Sequence, residues 1–155
     1  MPSTHITAYR PAAIFWAGLI AGAMDITAAF LVYGAMGARP IPLLQGIASG
    51  LLGTRAFSGG LATASLGLLC HFVIAYGAAA TYIAASRFFP ALGRLPLLFG
   101  PLYGIAVYFF MQWVVHHSAA AHRPFSWEMT LIGCAIHIVC IGSPIALITR
   151  RFTPQ

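Results

Sequence analysis

Four runs of roughly twenty or more mainly apolar residues dominate the chain, and each is long enough for a helix to cross the hydrocarbon of a bilayer. They lie at about 12–33, 61–86, 95–115 and 127–149. A membrane barrel would instead alternate apolar and polar residues in segments of about ten, and these runs do not. Composition agrees: only 6% of the 155 residues are charged and 60% are hydrophobic. A soluble domain carries about a quarter of its residues as charged groups, so this chain cannot clothe a water-facing surface. The net charge of +6 comes from eight Arg scattered singly, without Lys. That excludes a massed nucleic-acid-binding face. The expected fold is all-α: a single membrane domain, 1–155, forming a four-helix bundle.

The first run also resembles a signal peptide, with small residues near Gly34 to Ala38. Its apolar stretch exceeds the 7–15 residues of an ordinary signal core and contains Asp25, so a retained helix is expected. Between the first two spans, the segment from Pro42 to Gly53 is too short to cross. Leu44, Ile47, Leu51 and Leu52 fall on one helical side, with Gly46, Ser49, Gly50 and Gly53 on another. A short interfacial or re-entrant helix fits, as does a Gly-rich connection packed on the bundle. Arg10, Arg87, Arg94, Arg150 and Arg151 flank one side of the spans, against Arg39, Arg55 and Arg123 on the other. The excess points to cytoplasmic N and C termini. Cys70, Cys134 and Cys140 form no CxxC pair and read as small apolar fillers.

Polar groups at bilayer depth are costly and need a partner or a task. This chain has Asp25, His71, Gln112 and His137, one in each span. At 1.5 Å per residue, both His lie about ten residues, or roughly 15 Å, from the same end of the bundle. Asp25 lies about eight residues from that end and Gln112 about three to five. Small residues share their faces: Gly18, Ala21 and Gly22 beside Asp25, Ala64, Gly67 and Ala75 beside His71, Gly133 and Cys140 beside His137. Such faces mark close helix approach, so the four groups are expected to form an inward polar layer. Gly100 and Gly104 add a GxxxG pair, and Pro101 and Pro144 each free a backbone carbonyl.

Three chemistries suit that layer. His71 and His137 could be axial ligands of haem b, which needs facing imidazoles at one depth. Asp25, His71 and His137 could relay protons or ions. The leading reading is simpler than either: the polar contacts fix helix register in an accessory or structural component of a larger membrane complex or a homo-oligomer. At the surface, His116, His117, His122 and Glu128 offer ligand types for zinc or copper, though a solvated polar loop is the better explanation of them. No HExxH, paired aspartates or Ser/His/Asp set accompanies them, and the chain has only two carboxylates. A non-enzymatic protein is expected.

The stretches HFVIAYGAAATYIAASRFFP (His71 to Pro90) and GPLYGIAVYFFMQWVV (Gly100 to Val115) resemble bacterial inner-membrane proteins of the YagU type, over about half the chain. The resemblance implies an inner-membrane location. It implies no reaction, because that family has none assigned.

Overall fold

The computed structural model describes residues 11–120 and 125–152. All regular structure among them is helical: α1 (Pro11–Ala35), α2 (Pro40–Leu52), α3 (Gly60–Phe88), α4 (Ala91–Arg94), α5 (Pro96–His116), α6 (Trp127–His137) and α7 (Ser143–Phe152). A 3-10 segment, Gly53–Ser58, joins α2 to α3, and a single π turn, Ile138–Gly142, joins α6 to α7. Through that turn α6 and α7 form one continuous rod, Trp127–Phe152. Four rods are thus long and apolar enough to cross a membrane: α1, α3, α5 and α6–α7. The chain has the form of a multi-pass membrane protein, and the four spans fall within a few residues of their expected bounds.

Alternating directions put the start of α1, the end of α3, α4, the start of α5 and the end of α7 at one end, here the terminal end. The end of α1, α2, the start of α3, the end of α5 and the start of α6 share the opposite end. Leu, Phe and Trp cover the outside, with Leu31, Leu69, Leu97 and Trp127 each more than 60% exposed. Between hydrocarbon-facing helices the hydrophobic effect supplies little drive, so association rests on close packing of small residues. Ala13, Ala17 and Ala21 of α1 accordingly meet Ala79 and Tyr82 of α3 and Ile145 and Ala146 of α7 in one core.

The tightest seam lies between α5 and the π turn. A Cβ built on Gly100 or Gly104 meets the Gly142 carbonyl or the His137 carbonyl, and one on Gly142 runs into the Gly100 carbonyl. The GxxxG pair therefore brings two backbones together, as its spacing predicts. Pro144 is the second residue after the π turn and lacks the N–H that a regular helix would use there. The wider turn accommodates this: both the backbone N–H and the hydroxyl of Ser143 donate to the Ile138 carbonyl.

The short helix is α2, starting at Pro40 rather than Pro42, with proline in the first turn where no N–H partner is required. Gln45, Ala48 and Ser49 are buried, while Leu51 and Leu52 are exposed. Small and hydrogen-bonded residues win the inward side because α2 presses its backbone onto α3, where Gly67 leaves room for the Leu44 carbonyl. Gln45 Nε2 donates to the Gly60 carbonyl at 3.0 Å and to Thr63 Oγ1 at 3.3 Å.

Candidate functional site

The polar layer forms from three helices. Asp25 lies ten residues before the end of α1, His71 eleven after the start of α3, and His137 ten after the start of α6. At 1.5 Å per residue these depths are about 15, 17 and 15 Å from one end. The carboxylate sits between the imidazoles: Asp25 Oδ2 is 4.0 Å from His71 Nδ1, and Asp25 Oδ1 is 3.9 Å from His137 Nδ1. All three side chains are largely enclosed, 11–20% exposed. The small residues singled out in the sequence do bring these rods together. Gly22 packs against Phe72 and Ala75, and Gly133 against the Tyr108 ring.

Hydrogen bonding fixes how the rings are turned. His71 Nε2–H donates to the Gly22 carbonyl at 2.8 Å, and a carbonyl can only accept. That assigns the Nε2 proton and leaves Nδ1 towards Asp25. His137 Nδ1–H donates to the Gly133 carbonyl one turn earlier, at 2.9 Å, and Tyr108 lies edge-on to its ring at 5.4 Å. The ring geometry has a direct consequence for protons. A charge-neutral Asp25–His71 pair must hold one mobile proton, either on the carboxyl group or on His71 Nδ1.

Separations of 3.9–4.0 Å are too long for hydrogen bonds but short for charges. Two unit charges at 4 Å interact by about 4 kcal/mol at an effective dielectric of 20. The Asp25 carboxylate is thus close enough to each ring for charge to matter without a hydrogen bond. Among the described residues, Asp25 Oδ1 is the one buried side-chain polar atom without a hydrogen-bond partner. A cavity of about 80 Å³ adjoins the triad, walled by Ile74, Val107, Met111 and Ile141 and roofed by Ile47 of α2. At about 30 Å³ per water, that is room for two or three.

Gln112 does not belong to this layer. Its side chain is exposed, and its Nε2 donates to the Tyr108 hydroxyl at 2.6 Å. One helical turn along α5 from Tyr108 carries it past the buried zone, and it reaches His137 only through that ring. The reverse omission is Gln45, which locks α2 over the site. Its sequence signal was the lone side-chain amide in an otherwise apolar short helix.

Haem b does not fit between His71 and His137 as arranged. The Nε2 of His71 is engaged by the Gly22 carbonyl, a carboxylate stands between the rings, and the cavity is far below the roughly 300–1,000 Å³ of cofactor pockets. At the surface, His117 Nδ1–H donates to the Trp113 carbonyl and its ring leans on the indole. His122 lies outside the described residues. Among the described residues, no three His, Cys, Asp or Glu side chains form a group that could hold a metal ion, Glu128 and His116 included.

Compared with protein-family models, curated proteins and solved structures, the chain matches none.

Proposed function

We propose that this chain is a non-enzymatic protein of the bacterial inner membrane that takes up and passes protons at an Asp25–His71–His137 centre. The observation that carries the reading is the fully buried, unpartnered Asp25 Oδ1 between two imidazoles, with a small cavity beside it. A contact serving only to hold helices together gains by closing its hydrogen bonds, since an unsatisfied buried acceptor costs about 1–3 kcal/mol. This one stays open and carries a proton that can move between carboxylate and ring. Imidazole exchanges protons near neutral pH, and ionisable residues facing a bundle interior mark ion and proton pathways. A continuous pore would need a homo-oligomer.

The termini are assigned to the cytoplasm. Among the described residues, Arg87, Arg94, Arg150 and Arg151 lie at the terminal end and Arg39 and Arg55 at the other. On this reading the centre lies towards the outer face. A second reading, an accessory component whose polar layer sets helix register, is favoured by one observation: the triad joins α1, α3 and α6 at matched depth.

Proteoliposomes with an internal pH dye and an imposed potential separate the two. Proton uptake that is present in the wild type and lost in Asp25→Asn, with the fold intact, supports the relay. Equal uptake in both overturns it. A lowered melting temperature with no wild-type uptake leaves the register role.

A further inference from the structure

We infer that the centre opens sideways into the bilayer between α3 and α5, and that its ligand besides the proton is an amphiphilic ammonium, a cationic nitrogen on an apolar body. The inference rests on the proton-binding reading above and names the substrate class of the same site.

The backbones of α3 and α5 stay apart, and side chains bridge the gap between them. Tyr103 of α5 ties them by donating its hydroxyl to the Ala78 carbonyl at 2.8 Å. Beyond that tie towards the α2 end, the cavity separates Ile74 and Ala75 from Val107 and Met111. Met111 lies five residues from the end of α5 and Ile74 fourteen from the start of α3, about 8 and 21 Å deep. The hydrocarbon is about 30 Å thick, so the cleft lies within it. Ile74, at its edge, is 37% exposed. From the near end, α2 closes the approach with Ile47. A molecule dissolved in the membrane can therefore reach the triad where a hydrated ion cannot.

Charge selects the head. With both imidazoles neutral the centre is one negative charge in an apolar cleft, and only a cation or a proton relieves it. Bare metal ions want several oxygen or nitrogen ligands, and no metal-holding group forms among the described residues. The Gly22 and Gly133 carbonyls are already engaged by the imidazoles. A substituted ammonium needs only one carboxylate and apolar walls for its carbons. It binds in place of the Asp25 proton, which leaves through His71 or His137, so one positive charge enters as one departs.

The probe is octyltrimethylammonium, whose nitrogen carries no proton of its own, added to the purified full chain in nanodiscs. Binding should release protons and weaken about tenfold for each unit the pH is lowered while the centre is protonated, as one-for-one exchange requires. Asp25→Asn should abolish both effects. Met111→Trp, which fills the mouth, should weaken binding at least tenfold, whereas Leu102→Trp, on the exposed outer side of α5, should leave it unchanged. Equal binding of 1-octanol, or undiminished binding to Asp25→Asn, overturns the inference. If ammonium fails to bind while Asp25-dependent proton uptake persists, the substrate class is wrong and the proton reading stands. If Asp25→Asn leaves uptake unchanged, the proton reading itself has failed.

Discussion

The two halves of the bundle solve the same problem, polar groups in hydrocarbon, in opposite ways. In the half nearer the termini, Tyr82 and Tyr103 meet at 4.9 Å with their ring planes tilted, and each hydroxyl donates to a carbonyl, Leu92 and Ala78 respectively. Buried Ser86 and Thr149 donate to their own helices. Around them Ala17, Ala79, Ile145 and Ala146 are completely enclosed. In the half nearer α2, the Asp25 triad keeps its members at ion-pair separations beside a cavity, with one carboxylate oxygen unmatched. The first region is built to be finished. The second leaves a buried carboxylate oxygen unmatched and a small space beside it, which sets it apart from a finished core.

Substitutions can break or sharpen this contrast. The largest loss of stability is expected from Ile145→Ala, which empties a fully enclosed position of α7. In a membrane the transfer contribution is small, so the cost is mainly lost packing, about 2–3 kcal/mol by thermal or denaturant unfolding in micelles. Gly142→Ala comes next, at about 2 kcal/mol, because its Cβ is driven into the Gly100 carbonyl and α5 must retreat. It should also disturb proton uptake, since the same seam places His137. Tyr82→Phe should cost about 1 kcal/mol, the worth of one buried hydrogen bond, and leave uptake unaltered. Asp25→Asn should change stability least, by under about 1 kcal/mol, because removing a poorly compensated buried charge offsets the lost attraction. It should nevertheless abolish uptake. If Asp25→Asn instead destabilised the bundle as much as Ile145→Ala, the two halves would be alike and the contrast would collapse.

Much of this was legible in the sequence. Apolar runs fixed the four spans, because length and the absence of charge suffice to define a membrane helix. Small residues beside Asp25, His71 and His137 disclosed the inward faces, because only such residues let three backbones come near enough for their side chains to meet. Gln112 misled because a shared face is not a shared depth. It follows Gly104 and Tyr108 along one side of α5 but lies a turn past the buried zone, where its amide turns back to the Tyr108 hydroxyl. The inward side of α2 was not legible either. The apolar-inward rule belongs to water, and in lipid a Leu gains as much from facing outward as inward, so Gln45 and Ser49 took the interior. The cleft between α3 and α5 had no sequence signal, since it arises from where two helices fail to pack.

The π turn at Ile138–Gly142 carries a consequence for how the protein can be altered. It holds one residue more than a regular helical turn, so it absorbs that residue in one wide turn and keeps the segment bearing His137 in phase with the segment bearing Ile145 and Thr149. Deleting one residue within it would leave a uniform helix with both faces nearly where they were. Deleting one residue from the regular part of α7 before Ile145 would instead swing everything after it by about 100°, so that Thr149 would leave the interior. The wide turn is therefore the one place in this rod where a single-codon deletion should be tolerated.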